Sequence, residues 1–288
     1  MITKRSPTRT HYRVPLSGFL LAGAVAAIAL ASAHGCDREN AEEQSYQLVL
    51  AWEDDFVGPA GQLPDTAKWS FDIGTNWGNN QLEYDTNRPE NACLDGEGHL
   101  IITAREEKYL TCDYTSARMI TMGHFSQGYG RFEARIQLPI GQGLWPAFWL
   151  LGANFSAVGW PDCGEIDIME YRGQEPNVIY GSLHGPGYYG GGAITKRFIQ
   201  EGDGFNAGFH VFAVEWSEDR ITFMVDNKSY QTVTPDDLPS GGTWVYNHPF
   251  FIILNVAVGG NFVGPPNEST VFPQTMLVDW VRVYKVVR

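Results

Sequence analysis

Short runs of apolar or alternating residues, separated by turn residues, fill the chain from about residue 47 to its end. Glycine and proline punctuate the gaps, as in GPPN and LPSGG, which is typical of strands joined by turns. No long stretch has the periodicity of a helix. The clearest predicted strands are residues 48–52, 99–104, 130–138, 178–183, 210–216, 220–225, 250–258 and 276–285.

Strict alternation within these runs indicates that each strand has one buried face. In residues 130–138, GRFEARIQL, apolar side chains occupy alternate positions and polar side chains lie between them. We therefore predict one all-β domain over residues 47–288, in which two antiparallel sheets pack face to face. A concave face that carries tryptophan, asparagine, arginine and acidic side chains would form a cleft for an extended polar chain.

The N-terminal segment has a different pattern. Residues 1–15 carry four basic side chains and no acid, and residues 16–33 are uncharged, which predicts an export signal over residues 1–35. The apolar run is also long enough to be marginal for a transmembrane anchor, but its alanine and glycine content makes it weakly hydrophobic. Its end, AHGC, resembles a bacterial lipoprotein signal in which Cys36 would be lipidated.

The lipoprotein resemblance is imperfect, because Ala33 stands where leucine is usual and His34 is atypical. Ordinary cleavage nearby is the alternative. Residues 36–46 are polar and predict a flexible tether. The chain is therefore predicted to be exported, either anchored to the cell envelope by a lipid or secreted, with no other membrane contact.

The chain has a formal net charge of −13. Since nucleic-acid binding depends on basic patches, we predict no nucleic-acid partner, and the charge suits a soluble monomer with a neutral partner. Its 9 Trp and 13 Tyr suit stacking platforms, although an aromatic-rich β core would explain the same composition. Cys93 and Cys112 flank the run HLIITA and are the predicted disulfide, whereas Cys163 is predicted to be free.

The segment GEIDIMEY, residues 164–171, carries three acids in an otherwise apolar run. Strict alternation would place Glu165 and Asp167 on one face and Glu170 on the other, among core residues. Acids on a solvent face are common, but like charges on adjacent positions of one face repel. A β-bulge near Ile168–Met169 would turn Glu170 toward the other two acids. Paired carboxyl groups on an open groove can hydrolyse glycosidic bonds.

Six segments resemble one family in the same order along the chain. They are WGNNQLEYDT (77–86), GRFEARIQLPIGQGLWPAFWLLG (130–152), WPDCGEIDIMEY (160–171), FHVFAVEW (209–216), LNVAVGGNF (254–262) and VDWVRVY (278–284). Together they resemble the laminarinase-like members of glycoside hydrolase family sixteen over nearly all of residues 47–288. The resemblance implies a two-sheet β-jelly-roll sandwich, concanavalin A-like, with a concave substrate cleft.

The E-x-D-x-x-E spacing implies a role for each acid. By motif position, Glu165 would be the nucleophile and Glu170 the general acid/base of a retaining mechanism, and Asp167 would tune the pair. This spacing is typical of the laminarinase-like branch, whereas mixed-linkage lichenases have E-x-D-x-E on a regular strand. The resemblance thus implies an endo-acting β-1,3-glucanase that needs no cofactor for catalysis and that admits mixed β-1,3/1,4-glucan.

Further residues are predicted to contact the substrate, namely Asn80, Arg118, Trp145, Trp149, Trp160 and His184. The two tryptophans of LWPAFW would share one face of a strand, either as sugar platforms or as core aromatics. By resemblance, Trp160 is another platform, and the groove also takes polar contacts from Arg118 and from Asn80 or its neighbour Asn79. His184 would touch the central acid or a sugar hydroxyl, unless it is structural.

The resemblance also implies a calcium ion on the side away from the cleft, bound by the backbone of Asp55 and Gly96 and by the carboxylate of Asp279. Its role would be stability, and the alternative is that Asp279 is an ordinary surface acid. Two departures from the family bear on specificity: Phe262 stands where tryptophan is common, and residues 185–198 are predicted to be a loop that shapes the cleft.

Two other functions compete with the glucanase prediction. A non-catalytic glucan-binding module would have the same fold, but such relatives lack the catalytic glutamates that this chain has. A family-sixteen enzyme for agar or carrageenan is disfavoured by the net negative charge, since carrageenan-type galactans are sulfated.

Overall fold

A computed structural model describes residues 47–287 of the chain. The predicted export signal over residues 1–35 and the predicted tether over residues 36–46 lie outside the described residues. Leu48–Val286 form one compact unit. Among the described residues, no helix has the length and apolar character needed to cross a membrane.

Seventeen strands follow one another along the described residues. They are β1 (Gln47–Asp54), β2 (Ser70–Asp72), β3 (Glu83–Asp85), β4 (Ala92–Leu94), β5 (Leu100–Tyr109), β6 (Cys112–Ser116), β7 (Arg118–Ile120), β8 (Gly130–Gln137), β9 (Leu144–Gly152), β10 (Glu165–Tyr171), β11 (Val178–His184), β12 (Ile194–Ile199), β13 (His210–Ser217), β14 (Arg220–Val225), β15 (Lys228–Val233), β16 (Phe250–Val258) and β17 (Gln274–Val287). The helical segments are short: α1 (Phe155–Val158) and two 3₁₀ turns, Gly190–Gly192 and Pro235–Asp237.

The strands form two sheets, which confirms the predicted fold class. One sheet has ten strands in the order β15-β14-β13-β8-β17-β5-β6-β3, with β1 beside β17 and β4 beside β5. The other has seven strands in the order β12-β11-β10-β9-β16-β7-β2. Strand pairs such as β9–β10 and β8–β13 are antiparallel, as predicted, but β3 and β6 run parallel.

An apolar core lies between the sheets and takes alternate residues from each strand. In β8 of the larger sheet, Phe132 and Ile136 are fully buried, as the alternation of residues 130–138 predicts. Phe148 and Leu150 of β9 in the smaller sheet belong to the same cluster. The residues between them on β9 therefore face away from the core.

The face of the seven-stranded sheet that points away from the core, called the outer face below, carries polar and aromatic side chains. Arg118 of β7 lies opposite Asn255 of β16, and Trp149 of β9 lies opposite Asp167 of β10. These are the residue types that the sequence predicts for a substrate cleft. The fold therefore presents them together on one sheet face.

The predicted disulfide between Cys93 and Cys112 is wrong, because both thiols are free. Both cysteines do lie on strands that pair with β5, but Cys93 is opposite Ile101 and Cys112 is opposite Tyr109. Eight residues of strand separate these positions, or about 26 Å, whereas a disulfide needs Cα atoms within about 7 Å. Cys163 is free, as predicted, and it is buried.

The predicted loop over residues 185–198 is only partly a loop. Ile194–Ile199 form β12, which pairs along its whole length with β11 and is the edge strand of the smaller sheet. Ile194 and Phe198 pack against the core, while Thr195 between them is exposed. Pairing with β11 and the core contacts of Ile194 and Phe198 account for the strand, although Lys196 between them is exposed.

Candidate active site

The β-bulge predicted in β10 is present at Ile168. Asp167 lies opposite Trp149 of β9 and Met169 opposite Phe148, so two positions on β10 match one on β9. Ile168 and Met169 are both buried in the core cluster. The extra residue therefore sends two consecutive side chains into the core and restores Glu170 to the outer face.

Contacts with β11 and β9 hold the three acids on one face. Ser182 of β11, opposite Asp167, donates its hydroxyl to Glu170 Oε2 over 3.4 Å. Trp145 Nε1 donates to Glu170 Oε1 over 3.0 Å. His184, opposite Glu165, places Nε2 at 3.8 Å from Glu165 Oε1 and 3.0 Å from Asp167 Oδ2. The sequence-predicted trio is thus brought together by its neighbouring strands.

Burial raises the pKa of all three carboxyl groups. The pKa of Glu165 rises to about 8, through burial first and then the charge of Asp167, although His184 acts in the opposite direction. The pKa of Glu170 rises to about 7, chiefly through burial, and that of Asp167 lies well above its usual range. The cluster therefore keeps protons near neutral pH, as a site that needs a carboxylic acid requires.

The pKa of Glu165 is higher than that of Glu170, although a nucleophile must be ionised. Asp167 is only 3% exposed, and burial favours its neutral form. The hydrogen bond between Glu165 and Asp167 raises the pKa of Glu165 and lowers that of Asp167. The three carboxyl groups therefore influence one another's ionisation, as a site that needs one acid and one carboxylate requires.

The tautomer of His184 follows from its other nitrogen. The backbone N–H of Gly190 donates to Nδ1 over 3.1 Å, so Nδ1 carries a lone pair and the neutral ring has its proton on Nε2. Nε2 lies 3.0 Å from Asp167 Oδ2, but the pair is not aligned as a hydrogen bond, and this oxygen has no hydrogen-bond partner within residues 47–287. His184 therefore contacts the central acid, which is one of its two predicted functional roles.

Glu165, Asp167 and His184 also form the group of side chains, within residues 47–287, whose spacing suits a metal ion. Their ligand atoms lie within 4.8 Å of one another. A metal would take the lone pair of His184 Nε2 and move the ring proton to Nδ1, directly against the Gly190 N–H. The donor set therefore fits a proton-sharing cluster better than a metal centre.

The two predicted tryptophans of β9 share the outer face but have different surroundings. Trp145 is only 9% exposed and packs against Phe262 at a ring separation of 5.0 Å. The guanidinium of Arg118 lies 4.8 Å from the centre of the Trp149 ring, and Trp149 donates its indole N–H to Asn255 over 2.8 Å. Trp145 therefore acts on the site mainly through its hydrogen bond to the Glu170 carboxyl.

The other predicted contacts lie around the same face. Trp160 is 43% exposed, with its ring 6.1 Å from that of His184. Arg118 also donates to Asp72 over 2.9 Å. Asn80 is exposed, and its side-chain amide donates to Asn261 over 2.9 Å, whereas Asn79 contributes its carbonyl oxygen to the same residue.

Several residues of the site were not predicted. Tyr180 packs edge-on against Phe262, and Arg172 lies over the Phe262 ring at 4.2 Å. Tyr189 is 50% exposed and packs edge-on against Trp160. The period of two along β11 is a signal that could have found Tyr180 and Ser182, because both share a face with His184. No comparable signal exists for Arg172 and Tyr189, which lie outside the strands.

The residues predicted for calcium have cationic partners. Asp279, at a register shift of β17, accepts a hydrogen bond from Arg135 at Oδ2, and Asp55 accepts one from Arg282 over 3.0 Å. A guanidinium on each carboxylate lowers the negative charge available to a cation. Gly96 is in the turn between β4 and β5 and supplies only backbone oxygen. Calcium binding by this set stays a prediction.

The sequence profile of Glycosyl hydrolases family 16 matches residues 76–282, and the bulged strand with its three acids lies within that match. The chain belongs to this family. Hydrolysis with retention of configuration is the mode of family 16.

Relatives and solved structures agree with the family 16 assignment. The chain is 40% identical over 266 residues to a beta-glucanase from Rhodothermus marinus, covering 87% of this chain and 89% of that protein. It is 40% identical over 242 residues to a glucan endo-1,3-beta-glucosidase from Cryptopygus antarcticus, covering 77% and 86%. The laminarinase catalytic domain of Thermotoga maritima superposes with a TM-score of 0.79 at 45% identity, covering 84% of this chain and 99% of that domain.

Proposed function

We propose that this family 16 chain is a retaining endo-β-1,3-glucanase acting on laminarin-type glucan, with mixed β-1,3/1,4-glucan as a further substrate. The observation that carries the proposal is the bulge at Ile168, which gives the acids their E-x-D-x-x-E spacing on one face. That spacing is the one that resembles the laminarinase-like branch. The names of the similar proteins support the same substrate class.

The first chemical step is a displacement at the anomeric carbon. The Glu165 carboxylate attacks that carbon, the bond to the leaving oxygen breaks, and Glu170 gives its proton to this oxygen. The product is a glycosyl ester on Glu165 and a free chain end. Asp167 shares a hydrogen bond with Glu165 and tunes the pair before attack.

The second step reverses these roles. Glu170, now ionised, takes a proton from water, and the water oxygen attacks the anomeric carbon and displaces Glu165. Two inversions give net retention of the β configuration. The hydrogen bond from Trp145 stabilises Glu170 in its ionised form between the two steps.

The proposal is tested by the products that the purified protein releases from laminarin, lichenan, agarose and carrageenan. We expect short oligosaccharides from laminarin, a lower yield from lichenan and none from the galactans. Proton NMR of the first products should show the β anomer. Glu165→Gln protein, purified in parallel, controls for contaminating hydrolases. Release from agarose or carrageenan alone would refute the substrate, and an initial α anomer would refute the mechanism.

We also propose that the chain is exported, by the signal over residues 1–35. The support is the basic segment before an uncharged run of small and apolar residues. Mass spectrometry of the mature N-terminus distinguishes a lipid on Cys36 from ordinary cleavage nearby. A mature protein that still begins at Met1 would refute export through this signal.

A further proposal concerns structural calcium at Asp55, Gly96 and Asp279. An ion held only by the folded state raises the unfolding temperature without entering the chemistry. The melting temperature in calcium should therefore exceed that in a chelator, with kcat unchanged. Equal melting temperatures would refute the site.

The proposed partner is a neutral glucan, bound by a monomer with no nucleic-acid partner. The net charge of −13 opposes binding to a polyanion. Light scattering of the purified protein with and without nucleic acid checks both statements. A dimer mass, or a mass that rises when nucleic acid is added, would contradict them.

A further inference from the structure

A second pair of buried acids lies outside the chemistry described above. Glu83 and Asp85 share one face of the short strand β3 and are 1% and 2% exposed. Asp85 Oδ1 is buried and has no hydrogen-bond partner within residues 47–287. Burying a carboxyl group destabilises a fold unless its contacts compensate, so the contacts of this pair indicate what it does.

Asp85 accepts a hydrogen bond from Trp77, whose indole contacts a residue of the outer face. Trp77 Nε1 donates to Asp85 Oδ2 over 2.9 Å. The ring of Trp77 lies 5.2 Å from the guanidinium of Arg118, whose other aromatic neighbour is Trp149 at 4.8 Å. Asp85 therefore sits at one end of a chain of contacts that ends on β9, beside the strand of the three catalytic acids.

Glu83 anchors the other end of the same loop, residues 77–82. Glu83 Oε2 accepts the backbone N–H of Val258, at the end of β16, over 2.8 Å. Leu82 donates its N–H to the Val258 carbonyl over the same distance. The two acids together fix loop 77–82 against the outer face at both of its ends.

The position of this loop suits a sugar ring remote from the bond that is cleaved. Arg118 is on β7, which is separated from β10 by β9 and β16. Three strand spacings amount to about 14 Å, which is more than one sugar ring away from the acids. Trp77 is partly exposed, and the charge of Arg118 is balanced by Asp72 at 2.9 Å. Such a surface offers an aromatic face and polar donors to a neutral pyranose.

We propose that Asp85 is a positioning residue for a remote glucan subsite, which it organises by fixing Trp77 over Arg118, with Glu83 anchoring the loop. This inference rests on the proposed glucanase function and adds a determinant of chain-length preference. Asp85 touches no substrate, so its effect on binding passes through the indole of Trp77.

The test compares Asp85→Ala, Asp85→Asn, Trp77→Phe and the double variant Asp85→Ala/Trp77→Phe on laminari-oligosaccharides of increasing length. Asp85→Ala should raise KM for long substrates about fivefold to tenfold, leave KM for the shortest cleaved substrate unchanged and keep kcat within about twofold. Asn retains an acceptor oxygen, so Asp85→Asn should keep KM for long substrates close to the wild-type value. The double variant should be no worse than the poorer single variant.

Asp54→Ala is a matched control, because Asp54 Oδ2 accepts the indole N–H of the buried Trp69 over 2.8 Å. This control should lower the melting temperature without changing KM at any length. An Asp85→Ala protein that behaves like Asp54→Ala would overturn the proposal, as would equal losses on short and long substrates.

A binding measurement separates this inference from the function on which it rests. Calorimetry should detect binding of a long laminari-oligosaccharide to the Glu165→Gln protein. Adding Asp85→Ala to that protein should weaken the binding about fivefold to tenfold. Absence of binding in Glu165→Gln alone would contradict the proposed substrate. Binding that Asp85→Ala leaves unchanged would contradict only the positioning role.

Discussion

Trp145 and Trp149 share one face of β9, but their indole N–H groups have different acceptors. Trp145 donates to the carboxyl of Glu170, whereas Trp149 donates to the uncharged amide of Asn255. A donor to a carboxylate stabilises the anion and lowers the pKa of that group. The two residues thus form a matched pair for testing how Glu170 sets the pH dependence.

Replacing Trp145 by phenylalanine should move the alkaline limb of the activity profile to higher pH. Glu170 must hold a proton to act as the acid, and its pKa of about 7 means that the protonated fraction falls as pH rises through that region. Loss of the Trp145 donor raises this pKa, so the proton is kept to higher pH. The measurement is kcat/KM on laminarin between about pH 5 and pH 9.

Trp149→Phe is the control for that shift and should leave the limb in place. Both variants are expected to lose about two- to tenfold in kcat/KM at the optimum, since both lose an outer-face hydrogen bond. A limb that moves to lower pH in Trp145→Phe, or equally in both variants, would contradict the assignment of the limb to Glu170.

Glu165→Gln should abolish hydrolysis and leave the fold and glucan binding intact. The amide has almost the same shape as the carboxylate but is no nucleophile, so kcat on laminarin should fall by about 10⁴-fold or more. Circular dichroism and calorimetry with a long oligosaccharide check the fold and the binding. Wild-type-like turnover would disprove the nucleophile assignment.

Glu170→Gln should behave differently on an activated substrate. Glutamine cannot give a proton to the leaving oxygen, but a stable phenolate leaves without one. An aryl glucoside should therefore still form the glycosyl ester on Glu165. Hydrolysis of laminarin should nevertheless fall strongly. Equal loss on both substrates would argue against Glu170 as the general acid.

The bulge of β10 consists of one residue and can be removed by one deletion. Without Ile168, Met169 and Glu170 can keep their partners Phe148 and Ala147 on β9, and the strand alternates regularly. The spacing then becomes E-x-D-x-E, which resembles the mixed-linkage lichenases. We expect a folded protein whose ratio of lichenan to laminarin activity is raised severalfold, measured by reducing-sugar release.

Ile168→Ala is the control for this deletion. Ile168 is 1% exposed, so either change removes core packing and should destabilise the fold by about 2–5 kcal/mol. Only the deletion removes the bulge, so only the deletion should change the substrate ratio. A raised ratio in both variants, or in neither, would contradict spacing as the determinant.

Periodicity within one strand could predict the bulge and the face of the acids, because both depend on neighbours in the sequence. The alternation of β10 places Glu170 among core positions unless one residue is added, and the period of β9 places Trp145 with Trp149. The contact of Asp85 with Trp77 joins a strand to a loop, so the alternation of residues within either segment does not reveal it. Such contacts depend on how separate segments pack.

The register between strands is the second feature that the sequence did not predict. Cys93 and Cys112 belong to strands that do share β5 as a neighbour, as their positions suggested, but the pairing puts them at its opposite ends. The sequence around a strand identifies plausible partners, whereas the position along the ladder is set by turns and by packing across the sandwich.

The whole molecule is therefore expected to hold together without a crosslink in residues 47–287. Its two sheets enclose one extended apolar cluster that includes residues from nearly every strand. A domain of this size buries most of the surface that its unfolded chain exposes, so a core can supply the stability that small secreted domains take from disulfides.

The melting temperature should consequently be the same, within about 1 °C, with and without a thiol reductant. A disulfide would contribute about 2–4 kcal/mol, and its reduction would lower the melting temperature of a domain of this size by about 5 °C or more. Peptide mapping after thiol labelling should find Cys93 and Cys112 modified in the native protein, since both are partly exposed, and Cys163 modified only after unfolding. A reductant-dependent melting temperature, together with unlabelled Cys93 and Cys112, would show that the two strands pair in a different register.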